Sequence, residues 1–352
     1  AINDQDQTTI QNADQAWKAL SDYVWNRKIW SPAGSSDMLV YVRKDLLREV
    51  PAPKVDEGYA NPPQSLRPLA TLGSPGRGQG QFSQPKGIAI SRDGQRIYVL
   101  DTGNCRVQVL DANGGYLAEF GKRGPEPGQF SPEFGGPCGG IAIGPNGHVY
   151  ATDTWGDGGR GRILVFDQNG TLVSTWNRAG AEGEFYGPRG IAVAPDGRVF
   201  VADTGHKQLV VFTADGKFLK KIGGEGLGPG QFVEPVGLAI TEDGEVYVAD
   251  VGNRRIQVLG IDGTFRREWN VHGWSEETGS MVWVEPYIAF SPDGWVYVTD
   301  STQKAIHRFD RNGKQVVLGN IGGAPKGIAC DASGNLLIAD AERNQIVKTR
   351  FR

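Results

Sequence analysis

The chain has 352 residues, 51 of them glycine and 20 proline, is 39% hydrophobic and carries a net charge of -3. That length allows one large or two ordinary domains. The charge argues against a sequence-independent nucleic-acid binder, whose footprint is a basic excess. The lack of an apolar run of about 18 residues argues against a membrane span, and three cysteines do not make a disulfide scaffold.

Residues 1–66 do not repeat. In "TTIQNADQAWKALSDYVWNR", Ile10, Ala13, Trp17, Leu20 and Val24 fall at helical spacing. Thr8 and Gln11 have the spacing of a capping box. "DMLVYVRKDL" (37–46) reads as a strand, and "VPAPKVDEGYANPPQ" (50–64) as an extended, proline-rich linker. One helix and one strand bury little surface alone. The segment is therefore expected to pack on the rest of the chain or to be the tail of an upstream domain. The start at Ala1 rather than Met fits a processed product or an excised piece.

From residue 85 the chain repeats. "PKGIAISRDGQRIYVLDTGNCRVQVLDANGGYLAEFG" from Pro85 is in register with segments beginning at Pro188 and Pro235, and weaker copies begin at Cys138, Glu285 and Pro325. The turn residues Asp93, Asn146, Asp196, Asp243, Asp293 and Ser333 follow one another at 53, 50, 47, 50 and 40 residues. A period of 40 to 50 with several strands per unit signals a propeller. Each unit reads as four strands: an apolar "GIAI" type, an Asp-Gly hairpin, a "VYVAD" type, a "TGN" loop, a "RIQVL" type, a second turn and a "GYLAEFG" type. The sixth unit stops after its third strand, at "NQIVKTRFR". "RPLATLG" (67–73) fits the missing fourth column, with Leu72 in register with Phe120, Trp176, Ile222, Trp269 and Leu318. The expected fold is an all-β, six-bladed propeller over 67–352, closed by an N-terminal strand that completes the last blade, behind an α/β extension over 1–66. An open solenoid, with 67–73 as linker, is the alternative.

These residues resemble the NHL repeat family. "G-Q-F-x-x-P-x-G-I-A" occurs at Gly80 and Gly230 and in part at Gly183, and "Y-V-A-D-x-G-N-x-R-I-Q-V" is nearly whole at Tyr247–Val258. The resemblance implies that the face made by the loops before the first strands and after the second strands is the usual binding surface. It says little about activity. A helix and strand ahead of such a propeller also resemble the soluble tail of large bacterial membrane glycosyltransferase-like proteins. That resemblance implies an extracytoplasmic setting and attachment to a membrane-protein assembly.

On the binding face, the residue before each inner-strand glycine position reads Lys86, Gly139, Arg189, Val236, Pro286 and Lys326, with three basic and none acidic. Such a ring around a channel mouth is expected to attract an anionic or glycan ligand. Trp155, Arg160, His206 and Arg254 stand in nearby loops. "DTWGDGGRGR" is four residues longer than "DTGNCR", and long loops on a rigid scaffold often carry contacts. The aspartates ending the second strands (Asp101, Asp153, Asp203, Asp250, Asp300, Asp340) occur in every unit, so they read as structural acceptors.

The favoured reading is a non-catalytic binding platform for a protein or an anionic ligand, with no catalytic or metal-binding residue assigned. One alternative is a metal-dependent hydrolase or lyase at the channel mouth. With four histidines, of which only His206 and His272 map to the binding face, a histidine-rich site is unexpected. Structural calcium on loop carboxylates and carbonyls stays open. Single-stranded RNA binding is a further alternative, opposed by the net charge. Cys105 and Cys138 map to the same face of adjacent blades, which permits a disulfide, and Cys330 reads as a small buried apolar residue.

Overall fold

A computed structural model describes residues 64–131, 139–156, 160–180, 183–271, 274 and 285–351. The helix and strand expected before residue 64 lie outside them. The described chain forms six antiparallel blades, the first four with their four strands in chain order from the centre outward. Blade 1 comprises Pro85–Ile90, Arg96–Asp101, Arg106–Asp111 and Tyr116–Phe120, and blade 2 comprises Ile141–Ile143, Val149–Asp153, Arg162–Phe166 and Leu172–Trp176. Blade 3 comprises Pro188–Val193, Val199–Asp203, Gln208–Phe212 and Phe218–Gly223, and blade 4 comprises Pro235–Ile240, Glu245–Asp250, Arg255–Gly260 and Phe265–Asn270. In blade 5 the strands are Ile288–Phe290, Val296–Asp300, Ala305–Phe309 and Gln315–Asn320. Blade 6 takes Pro325–Cys330, Leu336–Asp340 and Gln345–Thr349 from the C-terminal end and Ala70–Leu72 from the N-terminal side.

The closing strand has the register the sequence implied: Ala70 lies opposite Lys348, Thr71 opposite Val347 and Leu72 opposite Ile346. The ring is also closed by packing. The buried apolar residues divide into six clusters, one for each pair of neighbouring blades. The cluster between blades 6 and 1 joins Leu337, Ala339 and Ile346 to Leu72, Phe82, Ile88, Val99 and Leu110. Every interface thus buries β-branched and aromatic side chains from two sheets, the arrangement that makes a pleated, two-sided strand stable.

Residues 64–66 depart from the expected boundary at 66/67. Gln64 and Ser65 pair in parallel with Gly319 and Asn320 as a fifth strand on blade 5, and Leu66 is buried among blade 5 and 6 residues. These residues belong to the propeller, and Gln64 and Ser65 cover an outer edge that would otherwise expose unpaired backbone groups.

Leu72→Ala should cost about 3 kcal/mol, as for a buried leucine leaving a cavity. Leu69→Ala, three residues earlier and exposed, should stay within about 0.5 kcal/mol. Denaturant unfolding of the two variants checks the composite blade, because in an open solenoid neither residue would matter.

Candidate functional site

The geometry of the channel depends on one glycine in each inner strand. A Cβ on Gly190 of blade 3 would overlap the carbonyl oxygen of Val236 in blade 4, and one on Gly327 of blade 6 would overlap that of Lys86 in blade 1. The inner strands therefore approach one another as closely as backbones can. Blade 5 breaks this rule: its leading segment is Glu285-Pro286-Tyr287, with tyrosine at the glycine position. The Tyr287 hydroxyl crosses the channel and donates to the Gly139 carbonyl of blade 2 at 2.9 Å.

Glu285 corrects the expected ring of uncompensated cations. Its carboxylate takes Lys86 Nζ of blade 1 at 3.0 Å and Lys326 Nζ of blade 6 at 3.2 Å. The third basic residue, Arg189, pairs with Glu234 at 3.2 Å. These five side chains keep only 14–19% of their surface exposed. Burial alone would raise the Glu285 carboxyl, but Lys86 and Lys326, with Arg189 farther off, outweigh it and hold it down at about 2. Glu234 goes the other way, because burial pushes it up more than Arg189 pulls it down. The void left between Gly139, Arg189, Val236, Glu285 and Tyr287 is about 10 Å³, about one water. Lys86, Arg189 and Lys326 are thus used within the protein to tie blades together around the axis. Their acidic partners escape a comparison of the ring positions because Glu285 and Glu234 stand one and two residues before Pro286 and Val236.

The aspartates ending the second strands are all fully buried. Asp101 accepts from the Ser83 backbone N–H at 2.7 Å, Asn104 Nδ2 at 2.8 Å and Arg106 Nε at 2.9 Å. Asp250 repeats the pattern with Val233, Glu234, Asn253 and Arg255. In blades 5 and 6, Asp300 and Asp340 take the backbone N–H groups of the following turn. The carboxylates are hydrogen-bonded anchors, as their presence in every unit implied.

The loops outside the axis on the same face gather the remaining candidates. In blade 3 the Asn104/Asn253 position is His206, whose Nδ1 lies 2.8 Å from Asp203 Oδ2. Its Nε2 has no hydrogen-bond partner among the described residues, and the ring packs edge-on to Tyr186 with centroids 5.8 Å apart. Tyr186 is 54% exposed and Leu227, in the next leading loop, 60%. Trp155 stands over Gly187, whose added Cβ would lie 3.8 Å from its ring, so Trp155 and Tyr186 flank one glycine. Arg160 pairs with Glu184 at 2.7 Å, and Lys207 with Glu225 at 2.7 Å. Arg254 occupies the left-handed position ending blade 4's short loop. The structure therefore brings Trp155, Arg160 and His206 together with Tyr186. The sequence signal for Tyr186 is an aromatic in "GEFYGP" where the related segments carry Ser83 and Val233.

Cys105 is fully buried, and burial pushes its thiol up against the pull of Arg123. Its proposed partner Cys138 lies outside the described residues, as does His272. Cys330 is half-buried, and burial, with Asp331 and Asp293 nearby, raises its thiol to about 12.

Comparison with known proteins agrees with this architecture. The family described as 6-bladed beta-propeller matches residues 184–278, and the NHL repeat matches residues 82–110. The chain is 26% identical over 145 residues to protein brain tumor of Drosophila melanogaster, covering 41% of this chain and 13% of that protein. It is 29% identical over 141 residues to a probable peptidyl-alpha-hydroxyglycine alpha-amidating lyase of Caenorhabditis elegans, covering 39% of each. The chain thus spans well under two thirds of these curated relatives. Virginiamycin B lyase from Staphylococcus aureus superposes with a TM-score of 0.53 at 17% identity, over 75% of this chain and 80% of that one. At that identity the likeness is one of fold.

Because the folded-state value of Glu285 lies below the ordinary 4.5, its ionised form stabilises the fold above that pH, and the contribution is lost as pH falls toward about 2. Glu285→Gln removes the charge that neutralises two buried lysines and should destabilise the protein at neutral pH by about 3 kcal/mol. Thermal melts of wild type and variant should converge on acidification from pH 5 to 2. A constant gap across that range would remove Glu285 from the acid limb.

Proposed function

Starting from the chain as an NHL-repeat six-bladed β-propeller, we propose that it is a binding platform whose working surface is the loop face of blades 2 to 4. The observation that carries this is the cluster of exposed Tyr186 and His206 with half-buried Trp155 beside a channel already filled by Tyr287 and Glu285. Aromatic side chains held on a rigid scaffold are the usual anchors of protein interfaces, because they bury much area for little conformational entropy. Flanking ion pairs (Arg160–Glu184 and Lys207–Glu225) supply a charged rim of both signs. The partner is read as a protein, and a glycan stacked on the same rings is the smaller-ligand outcome of the same test.

A photo-crosslinking residue placed at Tyr186 should capture that partner, whereas the same residue at Asp262, in a turn on the opposite face, should not. For the captured partner, Trp155→Ala and Tyr186→Ala should each weaken binding about tenfold or more, on the order of 1.4 kcal/mol. Unchanged affinity in both would move the interface elsewhere.

A second reading has one geometric support. Asp203 holds His206 through Nδ1 and leaves Nε2 of the part-exposed ring without a partner among the described residues, the arrangement of a general base, and one relative is named as a lyase. Among the described residues no group of three or more His, Cys, Asp or Glu side chains is placed to hold a metal ion. A metal-dependent reaction or structural calcium would draw on residues outside them, His272 among these, or on loop carbonyls. Metal analysis of the purified protein, with melts with and without chelator, tests this. Stoichiometric metal with a lowered midpoint on chelation supports the second reading, and no metal with no shift returns the first.

A further inference from the structure

The opposite face, made by the Asp-Gly-type turns, holds a cleft that the repeat does not explain. It lies between blades 5 and 6, has a volume of about 410 Å³ and is lined among others by Asp293, Trp295, Tyr297, Arg308, Arg350 and Phe351. That is within the size range of small-ligand sites. Its residues depart from the repeat at matching positions. In blades 1 to 4 the cross-strand partner of the second-strand aromatic is a buried valine: Val109 opposite Tyr98, Val165 opposite Tyr150, Val211 opposite Phe200 and Val258 opposite Tyr247. In blade 5 the partner of Tyr297 is Arg308. The position after the turn, polar elsewhere (His148, Arg198, Glu245, Asn335), is Trp295.

Arg308 is held but not satisfied. Its guanidinium carbon lies 4.0 Å from the Trp295 ring centroid and 5.6 Å from that of Phe351, which itself stacks on Tyr297 at 5.5 Å. These rings fix the plane of the guanidinium by cation–π contact. Among the described residues Arg308 makes no hydrogen bond and no ion pair, and its Nε is buried without an acceptor. A guanidinium carries five N–H donors in a fixed fork, and a buried donor left unpaired is costly. The second cation, Arg350, gives an N–H to the Ser333 carbonyl on the far wall. Asp293 is the one carboxylate among the lining residues.

We propose that this cleft is an oxyanion-binding site in which Arg308 receives a carboxylate or phosphate group through its fork and Arg350 adds the second positive charge. The aromatic rings hold the fork in place, so little side-chain freedom is lost on binding. The site is separate from the loop face and does not depend on the binding-platform reading of that face.

The test is titration of the full chain with inorganic phosphate and, separately, with succinate at constant ionic strength, followed by calorimetry and by the arginine Nε–Hε signals in NMR. At least one probe should bind saturably, with Kd on the order of 1 mM or tighter, and shift the Arg308 signal. The stronger probe tells a phosphate site from a carboxylate site. Arg308→Met keeps an apolar side chain between the rings and should weaken binding at least about tenfold. Arg311→Met, beyond the same turn and paired with Asp243, should leave binding unchanged. No saturable binding of either probe, or equal binding by Arg308→Met, overturns the proposal. Should Arg308→Met not fold, the wild-type titration decides alone: a moving Arg308 signal supports the site, and a stationary one overturns it.

Discussion

The close approach of six inner strands around one axis governs most of what this protein can do. It demands a residue without a side chain where each strand meets the next, because a Cβ at Gly190 or Gly327 would collide with the neighbouring backbone. Once five of the six positions are glycine, the channel is lined by backbone, and a single larger residue suffices to fill it. Tyr287 is that residue. It brings Glu285 to the axis, where one lysine from blade 6 and one from blade 1 neutralise it. The centre of the ring, where a ligand would first be sought, is therefore occupied by the protein's own charges.

A second constraint lies one layer out. The "R-I-Q" and "G-Q-F" elements of the repeat turn out to be two halves of one hydrogen-bonded clasp. Arg106 and Gln108 both donate to the Gln81 carbonyl, and Gly80 N–H donates to Gln108 Oε1. Arg255 and Gln257 do the same with Gln231 and Gly230. Asp101 and Asp250 anchor the arginines from behind. The clasp pins each leading loop to its blade and buries its phenylalanine, Phe82 or Phe232, between blades. Loops fixed in this way form a firm surface, which is why a few exposed rings on it are worth reading as contacts.

How much of this was legible beforehand depended on whether a feature repeats. The ring closure was legible because Leu72 fills a column that five other fourth strands define. The buried aspartates were legible for the same reason. The axial ion pairs were not, because Lys86 and Glu285 are 199 residues apart and their meeting depends on the ring being closed. Tyr186 and Arg308 were not singled out by the sequence reading, and it is the fold that shows one facing solvent beside His206 and the other a cleft beside Trp295. The fifth strand at Gln64–Ser65 gave no pattern at all, being two residues paired through backbone groups that every residue carries.

The sequence by itself determined the architecture, because strand alternation and turn chemistry are local and are written out anew in each unit. It also determined which residues are exceptions to the unit. What only the tertiary structure decided is which exceptions neutralise one another and which stay open. Charge and hydrogen bonding act over a few ångströms, and closing the ring sets those distances between residues far apart in the chain. The basic residues at the axis are accordingly taken up by Glu285 and Glu234, while Arg308, far from either, keeps its donors unused.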